Sequence, residues 1–147
     1  MKSKTILSKT VDKMKEAKVI AEKTNTGYSA YLPDVPGVIS VGVTFNELRE
    51  NVAEAVDLYL ETCKEFGDPI SEALTGKYKL VFKFDTETFL EWLSGVMSQK
   101  GLSEIANINE SLISQYAHGV KKPGPKQLKR IETALHKFAD DLYAISF

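Results

Sequence analysis

Cysteine is almost absent from this sequence, since Cys63 is the only one among 147 residues. A single thiol excludes an internal disulfide and suits a reducing cytoplasm, and two histidines do not favour a structural zinc site. No run of about 18 apolar residues is present, so no membrane span is expected. The first 18 residues also lack the apolar segment of a secretory signal. These absences predict a cytoplasmic protein without a metal or a cofactor.

A strong charge of one sign is absent too. The formal net charge is −1, so the chain as a whole has no field that attracts nucleic acid, and any basic surface must be local. The composition, 43% apolar and 27% charged, is ordinary for a globular protein. The length allows one medium domain or two small ones. A change from alternating to helical patterns predicts two domains, 1–84 and 85–147.

The first half is organised around a strand, a stiff corner and a second strand. Alternation with a period of two predicts the first strand at 28–32, with Tyr28 and Tyr31 on opposite faces of the sheet. The corner at 33–37 contains two prolines, which remove backbone donors, and a glycine, which permits a sharp bend. The second strand follows at 38–43.

A helix with one apolar face is predicted at 44–66. Thr44 and Glu47 form a capping box, in which each side chain accepts the other residue's free backbone N–H. Strands are also predicted at 17–22 and 78–84. The predicted order of elements in the first half is therefore β-β-β-α-β, with the helix packed on a small sheet. The residues assigned to the apolar stripe of the helix are Phe45, Leu48, Val52, Ala55, Val56, Leu58, Tyr59, Leu60 and Cys63.

The second half has helical spacing throughout, with Ser98 and Asn109 as predicted helix caps. Asn107 falls where a turn requires a positive φ, and Ile108 follows it as a buried turn residue. Pro125 is placed in the first turn of the next helix. The apolar faces of these helices are assigned to Phe89, Leu90, Leu93, Val96, Leu102, Ile105, Ala106, Ile113, Tyr116, Leu128, Ile131 and Leu135, with Phe138, Leu142 and Ile145 in a last helical segment.

Two short helices, a tight turn and a third helix that ends in glycine match the helix-turn-helix unit. Residues 86–145 resemble the Xre/Cro-repressor type, with Ser98-Gln99 as the Ser/Thr-Gln pair that opens helix two and Ile108 in the turn. The departures from that type are Gly101, Ser103 and Asn107. By analogy, the residues that face the major groove are Glu110, Ser111, Ser114 and Gln115, and those that reach phosphates are Gln99, Lys121 and Lys122.

A local basic cluster follows the third helix. Between residues 121 and 137, six basic residues face one acid, Glu132, which leaves a local net charge of +5. This cluster lies where contacts to a DNA backbone are expected. Glu110 argues against DNA binding, because its carboxylate would repel a phosphate group. The same carboxylate could instead accept a hydrogen bond from a cytosine amine. The alternative is a helical dimerisation module that does not touch DNA. The basic cluster consists of Lys121, Lys122, Lys126, Lys129, Arg130 and Lys137.

A second recognisable pattern consists of the stretch GYSAYLPDVPG at 27–37, Gly42, and the capped helix that begins TFNE at 44–47 and ends LYLE at 58–61. Over roughly residues 15–84 the chain resembles the HicB antitoxin family. The resemblance implies a partial RNase H-like fold without nuclease activity. It also implies a partner, a small HicA toxin that cleaves mRNA and whose active site the antitoxin occludes. Many members carry a C-terminal DNA-binding domain that represses their own operon, and the second half fits that architecture.

Tyr28, Tyr31 and Asp34 are the candidate toxin contacts. One tyrosine should enter the core, while the other offers a rigid exposed surface to a partner. Asp34 either meets a basic toxin surface or only caps the turn. The acidic helix face from Glu47 to Glu65 could steer a basic partner. Because one short helix in the major groove binds DNA weakly, we also expect a homodimer that presents two such helices.

Two other functional classes compete with this interpretation. A degenerate nuclease would need several carboxylates around two Mg²⁺ ions. Only Asp12, Glu22 and Asp34 lie near the early strands, so no enzyme is expected. The alternative function is a stand-alone helix-turn-helix regulator whose first half senses a ligand or dimerises. We predict an α+β antitoxin of a type II pair, with a HicA-like toxin and its own operator DNA as partners.

Overall fold

A computed structural model describes residues 14–147 of the chain. These residues divide into two units, 14–84 and 85–147. The first contains a sheet and one long helix, and the second is helical, so the predicted α+β class is confirmed. The part of the predicted first domain that precedes residue 14 lies outside the described residues. Within 14–147, no helix combines the length and the apolarity needed to cross a bilayer.

The first unit contains a four-stranded sheet. Its strands are β1 (Lys15–Lys23), β2 (Tyr28–Tyr31), β3 (Ile39–Gly42) and β4 (Tyr78–Lys83). Their order across the sheet is β3-β2-β1-β4. The two pairs that involve β2 are antiparallel, whereas β1 and β4 are parallel. A parallel pair needs a long crossover connection, and here the connection contains the helix. The predicted β-β-β-α-β order is therefore the observed one.

The proline-rich corner between β2 and β3 is held by short-range backbone bonds. Leu32 N–H donates to Val38 O at 3.2 Å, and Val35 N–H donates to Leu32 O at 3.1 Å. Val35 is 1% exposed, so the corner folds its valine into the core. Gly37 has a φ of 93°, which favours glycine because other side chains are strained in that region. The corner is a specific structure rather than a loose loop.

Helix α1 (Phe45–Phe66) begins at the predicted cap. Thr44 Oγ1 accepts the Glu47 N–H at 3.1 Å, while Glu47 Oε2 accepts the N–H of Val43 at 3.0 Å. The carboxylate therefore bonds one residue earlier than a standard capping box predicts. The helix ends at Gly67, whose φ of 70° allows its N–H to donate to Cys63 O.

One face of α1 packs on the sheet and forms the core of the first unit. Leu48, Val52 and Val56 are buried against strand residues such as Val19. The assignment of Leu58 to this stripe was wrong, because Leu58 is 65% exposed. Two residues after Val56 is about 200° around a helix, which is nearly the opposite side. Cys63 is buried and free, as expected of a small core residue. A short 3-10 turn, Glu72–Leu74, lies in the connection to β4, where only a loop was predicted.

The second unit packs four helices around one apolar cluster. They are α2 (Thr86–Ser94), α3 (Gln99–Ala106), α4 (Glu110–Ala117) and α5 (Pro125–Tyr143). The predicted fourth helix and last segment form one continuous helix. The residues buried in the cluster are Leu90, Leu93, Leu102, Ala106, Ile108, Ile113, Tyr116 and Ile131.

Five apolar residues assigned to helix faces are exposed, so those assignments were wrong. They are Val96, Ile105, Leu128, Leu142 and Ile145, with exposed fractions of 71, 37, 40, 54 and 58%. Val96 follows the end of α2 at Gly95 and is no longer on the helix. On α5 only Ile131 is buried, because the apolar cluster reaches Leu135 and does not include the residues beyond it.

Candidate functional site

The pair α3–α4 is joined by a turn built from local bonds. Ser98 Oγ accepts the Gly101 N–H at 3.0 Å and caps α3. Asn107 has a φ of 52° and is the one non-glycine residue with positive φ among residues 14–147. Ile108 is 5% exposed and anchors the turn in the core. Asn109 Oδ1 then accepts the Ser111 N–H at 2.8 Å and caps α4. The predicted caps, turn residue and buried anchor are confirmed.

The other two departures from the Xre/Cro pattern, Ser103 and Gly101, also have a local structural role. Ser103 Oγ donates to Ile108 O at 2.5 Å, so the serine ties the last turn of α3 to the buried turn residue. A Cβ on Gly101 would lie 3.2 Å from Ser98 Oγ, the atom that accepts the Gly101 N–H. The glycine therefore leaves room for the cap.

The predicted groove-facing residues divide into an exposed and a half-buried pair. Glu110 and Ser111 are exposed in the first turn of α4, whereas Ser114 and Gln115 are half-buried. Gln115 Oε1 is buried and has no hydrogen-bond partner within residues 14–147. The backbone oxygen of Gln115 accepts the Val120 N–H at 2.9 Å. The first turn of α4 is therefore the part of that helix that solvent or a ligand reaches most easily.

The basic cluster is on the surface. All six of its side chains are exposed. Lys129 and Lys137 form ion pairs within α5, with Nζ–carboxylate distances of 3.6 Å to Glu132 and 3.0 Å to Asp141. Gln99, the other predicted phosphate contact, is half-buried at the start of α3. Exposed basic groups thus begin four residues after the end of α4 and continue into α5.

The three candidate toxin contacts do not share one surface role. Tyr28 is half-buried in the core and meets Phe84 edge-on, with ring centroids 6.2 Å apart. Tyr31 is 42% exposed, so the expectation of one inner and one outer tyrosine is confirmed. Asp34 is exposed on the corner, and its backbone oxygen accepts from Ser71 Oγ at 2.8 Å.

Asp34 also lines an open polar groove that no sequence pattern indicated. The lining residues are Lys15, Glu16, Asp34, Ser71, Glu72 and Ala73. Lys15 Nζ donates to the Glu72 backbone oxygen at 2.8 Å and to Thr75 Oγ1 at 2.6 Å. Three carboxylates and one lysine give the groove an acidic balance. Residues far apart in sequence form it, which is why sequence reasoning missed it.

An apolar patch on the exposed side of β2 and β3 was also missed. Tyr31 pairs with Ile39 across the strands, and Ile39, Val41 and Val43 are each at least 63% exposed. The spacing of these three residues at every second position places their side chains on one face of the strand, so the sequence did contain a signal for this patch. The edge of β3 is covered in part by α1, because Asn51 Nδ2 donates to Val41 O at 2.8 Å.

Helix α1 presents an acidic surface on the side away from the sheet. The helix contains six acidic and two basic residues, a net charge of −4. All eight of these side chains are exposed, and Leu58 lies among them. The pKa of Tyr78 on β4 is raised by partial burial and by the nearby Asp57 carboxylate. This acidic face is defined by Glu47, Glu50, Glu54, Asp57, Glu61 and Glu65.

The carboxylates considered for a nuclease site are not clustered in the described chain. Glu22 is exposed on β1, and Asp34 lies on the corner between β2 and β3. Asp12 lies outside the described residues. Within 14–147, no group of three His, Cys, Asp or Glu side chains is arranged to hold a metal ion.

Comparison with known proteins finds similarity within the first unit. Residues 17–80 match the model of a family described as HicB-like antitoxin of bacterial toxin–antitoxin systems. An uncharacterised 14.9 kDa protein of Haemophilus phage HP1 is 42% identical over 43 residues, which are 29% of this chain and 32% of that protein. The UPF0150 protein of Helicobacter pylori is 39% identical over 41 residues, 28% of this chain and 57% of that protein.

Residues 17–80, less than half of this chain, are therefore similar to the HicB-like antitoxins. The match begins within β1, ends within β4 and includes β2, β3 and α1. It ends before the helical unit, and the matches cover only 32 and 57% of the two relatives' lengths.

Proposed function

We propose that this chain is the antitoxin of a type II toxin–antitoxin pair and a repressor of its own operon. The first unit binds a HicA-like, mRNA-cleaving toxin and occludes its active site, and the second unit binds operator DNA as a dimer. The observation that carries the first half of this proposal is the match of residues 17–80 to the model of the HicB-like antitoxins. The exposed basic cluster beside α4 supports the second half.

The charge of α1 suits a toxin that acts on RNA. A protein that binds a polyanion needs a basic surface, and the acidic face of α1 carries complementary charge. Such complementarity raises association rates more than it raises final affinity. Tyr31 and Asp34, both exposed, are further candidate contacts, whereas Tyr28 supports the core beneath them.

Charge reversal on α1 tests the toxin half. The variant Glu50→Lys, Glu54→Lys, Asp57→Lys should associate with the purified toxin at least about tenfold more slowly at low salt, with a smaller difference at high salt. The binding rate would be measured by stopped-flow or surface plasmon resonance. The matched control reverses three exposed acids of the other unit and should keep the parent rate. Its substitutions are Glu87→Lys, Glu104→Lys and Glu132→Lys. Equal rates for both triple variants would contradict the role of the acidic face.

In the proposed complex, the second unit contacts duplex DNA with the first turn of α4. Glu110 and Ser111 are exposed in its first turn, and the loop that follows the helix carries Lys121 and Lys122 on the surface. In this arrangement the helix reads base edges while the lysines contact phosphates. One short helix reads few base pairs, so two copies should bind half-sites roughly 34 Å apart.

The salt dependence of DNA binding tests this half. Each lost phosphate contact lowers the slope of log K against log salt by about 0.9. The variant Lys121→Ala, Lys122→Ala should therefore bind the upstream region of its own gene more weakly, with a slope smaller by roughly two. The control Lys18→Ala, Lys83→Ala changes two exposed lysines of the sheet and should leave the slope unchanged. Identical slopes for the two variants would contradict the proposed contacts.

A further inference from the structure

The outer side of β3 carries a row of apolar side chains on the sheet face that α1 does not cover. Ile39 and Val41 lie on β3 and Val43 follows it, with exposed fractions of 69, 63 and 67%. Gly42, which lies between the two valines, is buried against α1. The period of two therefore places the three aliphatic side chains opposite the helix. Tyr31, 42% exposed, pairs with Ile39 across the strands and completes the apolar patch.

The four side chains of the apolar patch are neighbours rather than scattered residues. Directly opposite pairs on one sheet face touch, as do residues two positions apart on one strand. Contiguous exposed apolar surface on a small protein marks a contact surface. Tyrosine is also among the residue types that contribute most to binding in protein interfaces. The patch therefore has the composition of an interface centre.

Two acidic side chains border the apolar patch. Glu47 Oε2 accepts the Val43 N–H at 3.0 Å, which places this carboxylate at one end of the patch. Glu22 on β1 lies on the same outer face, because it pairs with Ser29, which in turn pairs with Val41. Both acids are exposed. The acidic face of α1 begins at Glu47, so the patch and that face form a continuous surface.

Basic side chains on the outer face lie toward the opposite edge of the sheet. Lys83 is on β4, where it pairs with Ile20 of β1. The strand order puts β4 three strand spacings, about 14 Å, from β3. Lys79, also on β4, is 4.0 Å from Glu16. The charges nearest to β3 are therefore negative.

The edge of β3 is closed to a further strand where it meets α1. Asn51 Nδ2 donates to Val41 O at 2.8 Å, and Glu47 accepts the Val43 N–H. These are backbone groups that an added strand would need for its own hydrogen bonds. A partner must therefore contact the apolar patch through side chains, on the open face of the sheet.

We infer that the basic, RNA-cleaving toxin of the proposed function docks apolar side chains on this patch and sets basic side chains against its acidic border. The inference rests on the proposed function and adds the place and the mode of contact. An apolar centre within a polar rim is the usual anatomy of a protein interface. A second copy fits less well, because a two-fold contact would set the same acids against each other. Nucleic acid fits less well too, since its phosphates would meet carboxylates and its bases would find one aromatic ring.

The two parts of this surface should act on different rate constants. Charges at a rim mainly change the association rate, whereas a buried interface centre mainly changes the dissociation rate. The variant Val41→Thr, Val43→Thr keeps the shape of both side chains but buries two hydroxyl groups in the complex. It should dissociate from the purified toxin at least about tenfold faster and associate within about twofold of the parent rate. Surface plasmon resonance would measure both rates.

The matched control is Val96→Thr, Val120→Thr, which changes two valines of the other unit. Both are 71% exposed, and the control should keep both parent rates. A second test compares Ile39→Lys with Ile39→Glu, two charged side chains at one exposed position. The lysine variant should bind the toxin at least about tenfold more weakly than the glutamate variant, because it brings a like charge to a basic partner. Circular dichroism would verify that each variant is folded.

Three results would overturn the inference while leaving the proposed function in place. They are parent-like dissociation of the Val41/Val43 variant with equal affinities of the two Ile39 variants, an equal acceleration in the control, and a change in the mass of the free antitoxin on sedimentation of the Val41/Val43 variant. The last result would show that the patch is a contact between copies. A parent chain that does not bind the toxin would refute the toxin half of the proposed function and this inference with it.

Discussion

Gly42 offers the sharpest test of the packing in the first unit, because β3 and α1 touch there through backbone atoms. A Cβ at Gly42 would lie 2.4 Å from Leu48 N and 2.7 Å from Leu48 Cα. Ordinary contact begins at 3.4 Å, so Gly42→Ala requires strand and helix to separate by about 1 Å. Backbone atoms cannot rotate away, as a side chain could. Gly42 does not have a positive φ, so the effect is steric.

Overpacking costs about 1–3 kcal/mol and occasionally more, and the rigid contact places Gly42→Ala near the upper end, about 3 kcal/mol. The control is Gly37→Ala in the same unit. No atom lies within 4 Å of its added Cβ, but its φ is 93°. It should cost only about 1 kcal/mol of backbone strain.

Thermal unfolding followed by circular dichroism would compare the two variants. A loss of 3 kcal/mol lowers Tm by roughly 12–24 °C for a unit of this size. Trp92, the one tryptophan, lies in the other unit, and its fluorescence transition should stay near the parent value. If Gly42→Ala costs no more than Gly37→Ala, the close approach of β3 and α1 is wrong.

Three further predictions concern stability. Asn107→Ala should lose about 1 kcal/mol from the left-handed turn while Asn107→Gly loses little, as measured by urea unfolding; equal losses would contradict the turn. Ile113→Ala should cost about 2–5 kcal/mol by leaving a cavity in the helical core, and a smaller loss would show that the core closes around it. Burial and Asp57 raise the pKa of Tyr78 above 10.0, so the folded state holds the phenol proton more tightly than the unfolded state does. The contribution of this phenol to the free energy of unfolding is present below pH 10 and is lost as pH rises through the raised pKa. Tyr78→Phe should therefore lose less stability at high pH than the parent does. Identical stability–pH profiles for the parent and the variant would refute the raised pKa.

Local features were read correctly from the sequence because their causes are local. The bonds at Thr44, Ser98 and Asn109 join residues two or three positions apart, and Asn107 adopts positive φ within its own turn. Such preferences act in any tertiary context. The strand and helix periods likewise predicted the β-β-β-α-β order.

The candidate surfaces were less predictable, because they depend on how far along a helix the neighbouring elements pack against it. Leu58 and Leu142 belong to apolar patterns but face solvent, since a pattern shows which residues share a face and not how far a neighbour extends. Gln115 was assigned to the groove-facing set, yet its side-chain oxygen is buried. Its burial depends on the residues packed around α4, which the spacing of the helix does not reveal.

Sequence alone determined the main helices and strands of this protein and their caps, since each depends on residues close together in the chain. Tertiary structure decided the strand order β3-β2-β1-β4, the groove beside Asp34 and the exposure of Leu142 on α5. Those features join residues up to 63 positions apart, as in the pairing of Lys15 on β1 with Tyr78 on β4. Contacts of that range form only when the whole chain packs, because no local preference brings such residues together.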